Sequence, residues 1–323
     1  TFALLVAGLL GLLVTIGVKN ASESGADVGP TARWLTRRAW LTAGFVSFAL
    51  LAVSVAAFMM MRVGGVGPPA TLLARDAYDA DLPLVLVDVR NRTDEPGLGR
   101  ALGAALRADL ELSPVIRLAD PQTVAAALRA TGRGTPTGMT LDEARAVAEH
   151  EGYPGVVYSE VVQVGASYVL GARIVSVGGV DLTSARATAD SRGDLLGAMD
   201  RLSKRLRERV GESYRTLRES PSLEELTTES LDALGSYARA WDLDAYGGSP
   251  SAAAEALTRS IALDPQFALA HRLYGRVSEA RSDTTAAIEH YERFVELWGR
   301  EGGGLRPHLA EVRSRLRLLR GGT

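Results

Sequence analysis

The chain has 323 residues, a formal charge of −2, 46% hydrophobic and 6% aromatic residues, and no cysteine. This composition excludes a disordered chain, a disulfide-stapled scaffold and a strongly basic nucleic-acid binder, so no nucleic acid is expected as a partner. The average conceals a division: residues 1–70 hold five basic and two acidic side chains, and the rest hold 31 and 36.

Residues 2–18 and 39–61 contain no charged side chain. As helices they measure roughly 26 and 34 Å, against a hydrocarbon core of about 30 Å. Both read as transmembrane helices. The first also has the length of a signal-peptide core but lacks a basic leading segment. Residues 19–38 between them hold Lys19, Arg33, Arg37 and Arg38, with Trp34 and Trp40 beside the arginines. These six residues are expected as anchors at the bilayer interface. Positive charge in a short loop places that loop in the cytoplasm. The expectation is thus a multi-pass protein of a bacterial inner membrane, with everything after about residue 63 in the periplasm. Small residues in both spans, Ala7 and Gly11, Ala52 and Ala56, would let helices approach closely in lipid.

A glycine- and proline-rich linker occupies 64–82. Residues 83–90 then read as a buried strand. Leucines 98, 102, 106 and 110 mark a helix over 98–112. Residues 115–118 read as a second short strand. Asp120 followed by Pro121 signals a helix start, and Thr140 with Glu143 forms a capping-box pattern before 141–151. Three extended segments follow, 155–164, 167–177 and 180–189, with glycine turns at Gly165 and at Gly178 and Gly179. One long helix from about Asp194 carries Met199, Leu202, Leu206, Val210, Tyr214 and Leu217 at a 3.6-residue period. This order predicts a layered α/β sandwich with a mixed sheet over 83–220.

Residues 221–323 read as helical. One helix is expected over 222–246. A repeat register follows: Pro265 closes one repeat, Gly275 and Ala287 occupy positions where two helices cross closely, and Tyr291 fills the adjacent gap. The turn lies at Ser282 and Asp283. A final helix over 305–320 places Leu305, Leu309, Val312, Leu316 and Leu319 on one face, as a cap. Two visible repeats are fewer than the roughly three usually needed for stability. The helical part should therefore lean on the α/β domain or on a partner.

The stretches 84–90 (LVLVDVR), 99–112, 120–124 (DPQTV), 168–175, 200–209 and 260–274 resemble the extracytoplasmic half of bacterial membrane-anchored serine/threonine kinases. The resemblance implies a TolB-amino-terminal-like α/β domain followed by tetratricopeptide repeats. The whole is then an α+β, membrane-anchored chain: two transmembrane helices, a mixed-sheet sandwich and an all-α repeat domain.

No catalytic constellation emerges. The chain lacks a kinase's phosphate loop, pairing lysine and catalytic aspartates. Gly97, Gly99 and Gly103 approach a dinucleotide pattern, but Leu102 occupies the required third position. With four histidines and no cysteine, nucleophile and zinc options are few. His150 reads as a cation at a helix C-terminus, and His271 and His290 lie on the two helices of one repeat. Glu208, Glu212 and Glu219 read as a solvated face paired with arginines. Asn91 and Thr93 fit a glycosylation sequon by pattern alone.

The expected role is a non-catalytic scaffold or accessory subunit without a cofactor, bound to the lipid bilayer and to integral-membrane subunits of a larger complex. Light-harvesting or reaction-centre polypeptides of a photosynthetic complex are the specific candidate partners. The alternative is a periplasmic sensor that binds a ligand.

Overall fold

This computed structural model describes residues 71–73, 80–132, 138–299 and 306–321, and an isolated Val53. The chain divides into two units, Thr1–Val66 and Gly67–Thr323, and the fold below is that of the second. Segments 2–18 and 39–61 lie outside the described residues, as do Lys19, Arg33, Trp34, Arg37, Arg38, Trp40, most of the 64–82 linker and Leu305. Among the described residues no helix is long and apolar enough to cross a membrane. That finding corrects the multi-pass inner-membrane placement: every described helix is short or carries a charged face.

One mixed sheet forms the centre of the α/β layer. Strands β1 (Val85–Leu86) and β2 (Arg90–Arg92) both run parallel to β3 (Gly155–Val164) along one edge. The antiparallel meander β3, β4 (Ser167–Ser176) and β5 (Asp181–Ala189) completes it. The expected strand over 83–90 is thus interrupted. The expected strand over 115–118 reduces to a single bridge, Leu84 to Leu118.

Side chains on β4 alternate as a pleated strand requires. Tyr168, Leu170, Ala172 and Ile174 are buried, and Val169, Gly171 and Arg173 on the other face are only half-buried. The buried face packs on α1 (Leu98–Leu110) and α4 (Leu195–Val210). Leu102, Leu106 and Leu110 of α1 are fully buried there, and each such leucine contributes about 1.5–3 kcal/mol. Among the described residues the opposite face is covered at one end only. There α2 (Pro121–Ala130) and α3 (Leu141–Glu151) pack Val124, Leu128, Ala144 and Val147 on Val85, Val87, Val156 and Val175.

Local chemistry fixes these helices where the sequence indicates. Asp120 accepts from the Thr123 backbone at 2.9 Å, with Pro121 at the first position. Thr140 and Glu143 form the reciprocal capping box. The long helix from 194, however, ends at Gly211, whose φ of 137° disfavours any side chain and whose Cα faces the Leu73 side chain. A new helix, α5 (Tyr214–Glu219), starts at the Ser213 cap. The expected helix over 222–246 is likewise two: α6 (Leu223–Leu226) with its own capping box, then α7 (Leu231–Ala245) capped by Ser230.

Glu212 is not on a solvated face. It is buried with Arg207 and Asp109: Arg207 donates to Asp109 at 2.8 Å and to Glu212 at 2.6 Å. Ser203 donates to Asp109, and Ser113 donates to Glu212 at 2.6 Å. This network ties α1 to α4. Glu219, in contrast, is exposed and pairs with Arg215 four residues away.

The remaining helices are α8 (Pro250–Leu263), α9 (Ala268–Ala280), α10 (Thr284–Gly299) and α11 (Arg306–Gly321). Successive helices from α7 to α11 pack in order, and α7 lies on α1, so one hydrophobic core runs through both regions. The described residues are a mixed α/β layer with a C-terminal helical region attached to it.

Candidate functional site

A groove of about 780 Å³ lies where the two regions meet. One wall is the outer side of α1, with Arg100, Gly103, Arg107 and Glu111. Arg100 and Arg107 are seven residues apart and so share a helix face. Asp88, in the link between β1 and β2, lies at one end. The opposite wall comprises Tyr237, Trp241 and Asp242 of α7, Arg272 and Arg276 of α9, and His308, Glu311 and Arg315 of α11.

Its charges are matched in place. Arg100 lies 3.2 Å from Asp242, Arg272 donates to Glu311 at 3.0 Å, and Arg276 pairs with Asp244. The Arg107 guanidinium sits 4.2 Å over the Trp241 ring and pairs loosely with Glu111. Such stacking is worth about 0.5–2 kcal/mol, rising as water is excluded.

Crowding perturbs the acids and bases. Burial, reinforced by Asp88, raises Asp242 to about 6 against the pull of Arg100 and Arg107. Burial also raises Glu111 and takes Tyr237 and Tyr246 up to about 12. His308 falls to about 4 through burial, with Arg272 adding to the effect. Perturbed groups in a cleft are the usual mark of a binding or catalytic site. Among the described residues the lining holds no serine, threonine, cysteine or lysine to act as a nucleophile. Among the described residues no group of three or more His, Cys, Asp or Glu could hold a metal. The arrangement suits binding: a strip of aromatic and aliphatic surface between fixed charges of both signs.

The residues expected at the repeat crossing take defined places. A Cβ on Gly275 would come 2.5 Å from the Tyr291 ring, so only glycine fits. Ala287 is fully buried, and Tyr291 donates to Glu279 at 2.5 Å and also lines the groove. The Pro265 carbonyl accepts from His271 Nε2 at 3.3 Å. His271 meets His290 with their Nδ1 atoms 3.0 Å apart. His150 is exposed at the end of α3 beside Glu151. Gly99 has a packing role, since a Cβ there would come 2.7 Å from the Val89 carbonyl oxygen. Asn91 donates to the Glu95 carbonyl at 2.6 Å and accepts from Thr93, which fixes the turn before α1.

The groove has almost no signature in the sequence. Arg100, Arg107, Trp241 and Asp242 lie in segments expected only as helices. The sole sequence signal is a pair of arginines on one face of α1 and a tryptophan followed by Asp242 and Asp244 on α7.

No family model and no curated protein matches the chain. Solved structures similar to it include the LpoB C-terminal domain from Salmonella enterica, 21% identical over 39% of this chain and 97% of that one, with a TM-score of 0.32. Lipoprotein GNA1162 from Neisseria meningitidis is 17% identical over 36% and 88%, with a TM-score of 0.28. A PelC dodecamer from Paraburkholderia phytofirmans is 16% identical over 39% and 86%, with a TM-score of 0.26. Likenesses this slight carry no argument about role.

Proposed function

We propose that this chain is a non-catalytic accessory protein that holds a polypeptide segment in the groove between α1 and helices α7, α9 and α11. The observation that carries the reading is the stacked pair of Arg107 and Trp241 lining that groove, with charge pairs on either side. Tryptophan and arginine dominate the energetics of protein interfaces, because each offers a large, rigid contact area with a polar edge. Nothing in this wall selects a light-harvesting or reaction-centre polypeptide over another protein, and the resemblance to kinase extracytoplasmic halves bears only on architecture.

A photo-cross-linking amino acid at Ala108 tests this in the organism of origin. One protein adduct of constant mass is expected, lost when Arg107→Glu is added and absent with the cross-linker at Thr183. Adducts of equal intensity at both positions would sink the reading.

The volume favours one other use. Small-ligand sites span about 300–1,000 Å³, so the groove is large enough for a sensed ligand. A saturable thermal shift with a small molecule, and no adduct from Ala108, would select that sensor role instead.

A further inference from the structure

The second open surface lies on the far side of the sheet, beyond the end covered by α2 and α3. Its register sets three rows across the strands. Arg90, Glu160, Gly171 and Arg186 form one; Arg92, Val162, Val169 and Thr188 form the next; Tyr158, Arg173 and Ser184 form the third. Val162, Val169 and Gly171 make a half-buried aliphatic floor, and four arginines surround it.

The charge is unbalanced. Arg92 is 3.9 Å from Glu160, and Arg173 is 3.0 Å from Asp181 while lying 4.9 Å from the centre of the Tyr158 ring. Arg90 and Arg186 are exposed and have no acidic partner among the described residues. The patch is therefore cationic on a chain whose formal charge is −2.

Gly171 supplies a second, independent observation. Glycine weakens the interior of a strand, and where packing does not require it, it often marks the close approach of another backbone. The other strand glycine, Gly155, is required: a Cβ there would strike the Val175 carbonyl oxygen. Gly171 is not. A Cβ there would meet only Glu160 Cγ, at an ordinary 3.7 Å, and its φ is not in the left-handed region. The fold has room for a Cβ at this position, and strand propensity would favour a β-branched residue. The missing side chain leaves a dip in the floor, midway between Glu160 and Arg186.

We propose that this open sheet face docks an acidic, extended segment of a protein partner, which lies over Gly171 with its carboxylates on Arg90, Arg92, Arg173 and Arg186. The apolar floor and the carboxylate of Glu160 at its centre favour a peptide of mixed acidic and aliphatic residues over a uniform polyanion or an anionic membrane. Arginine suits carboxylates because its planar fork can donate two parallel hydrogen bonds.

The probe is a fluorescein-labelled peptide of alternating glutamate and valine, measured by anisotropy with the whole chain. Binding is expected to weaken at least ~10-fold in the double variant R90E/R186E, and to weaken with added salt, because exposed charges are screened within about 10 Å at 0.1 M. Gly171→Val tests the dip separately. It should raise the melting temperature and yet reduce peptide binding, a pairing that a purely structural glycine would not give. Arg215→Glu, on the exposed side of α5, should leave binding unchanged. Equal affinity for a lysine–valine peptide, or undiminished binding by R90E/R186E with an unaltered melting temperature, overturns the proposal. Binding to phosphatidylglycerol vesicles without binding to the peptide also overturns it, in favour of a lipid surface.

Discussion

Two buried clusters show how single residues decide the behaviour of this protein. Arg207 has no exposed surface, and it neutralises two buried carboxylates at once. Replacing it with leucine keeps most of the volume but leaves Asp109 and Glu212 buried without a cation. Breaking a buried pair in this way costs about 3–5 kcal/mol. Arg207→Leu should therefore lower stability far more than Arg215→Leu, whose ion pair is exposed, when both are measured by urea unfolding. The second cluster is His271 with His290. His271 Nε2 donates to the Pro265 carbonyl, and with that ring neutral its Nδ1 accepts from His290 Nδ1. Burial accordingly lowers His271 from 6.5 to about 4, and lowers His290 too. The unfolded chain binds protons below pH 6.5 that the fold refuses until about pH 4. The contribution of His271 is thus intact above pH 6.5 and is lost as pH falls through that window. Asp242, raised to about 6, acts in the opposite sense, because the fold takes up its proton first. Comparison with His271→Gln separates the two: the variant should lose stability less steeply between pH 6.5 and 4.5. An unchanged slope in urea melts would count against the histidine pair.

At the scale of elements, the edge of the sheet illustrates what the sequence conceals. Strand β5 is an edge strand of nine residues, and an uncovered edge invites pairing with another chain. Two side chains of α4 close it. Arg201 donates to the Thr188 carbonyl at 3.0 Å, and Arg205 donates to the Arg186 carbonyl at 2.5 Å. The double variant R201A/R205A should keep its melting temperature within a few degrees but self-associate at lower concentration. Sedimentation velocity would show this, and a variant as monomeric as the parent would exclude the protective role. Neither arginine could be assigned that task from the sequence, where both read as the polar face of a helix. Much else is legible because it is local. Caps at Asp120 and Thr140, the strand 155–164 and the glycine turns between strands follow from chemistry within four residues. The errors also share a cause. Apolar periodicity reports which face is buried and continues through a break, so Leu206, Val210, Tyr214 and Leu217 hide the stop at Gly211. The contact that Leu73 makes there, more than 100 residues away, is likewise invisible to a local pattern. The groove is illegible for the same reason: its walls come from helices far apart in the chain and a strand link, and α7 shows no more than helical periodicity.

At the scale of the whole molecule, the groove exists only because the helical region is fixed to the α/β layer. The contact responsible is α1 against α7. Ala101 is almost fully buried there, and a Cβ on Gly235 would stand 3.9 Å from the Ala101 Cβ. Two small residues let the helix backbones approach closely, and Leu234 beside them is fully buried. The same α1 carries Asp109 into the buried ion network and Arg100 and Arg107 into the groove, so one helix serves core, interface and site together. A continuous core of this kind should unfold as one cooperative unit, with amides of β3 and β4 and those of α8 to α10 sharing the same protection against hydrogen exchange. Gly235→Leu tests that coupling. Its atoms beyond Cβ would press on Ala101 of α1, since a Cβ there already stands in van der Waals contact with it, and overpacking of this type costs about 1–3 kcal/mol. The expected result is a split: α8 to α10 exchange at a lower free energy than β3 and β4, and cross-linking from Ala108 is lost because the walls of the groove have separated. If protection falls equally in both regions while the adduct persists, the groove does not depend on the α1–α7 contact, and its shape must be set by the helical region alone.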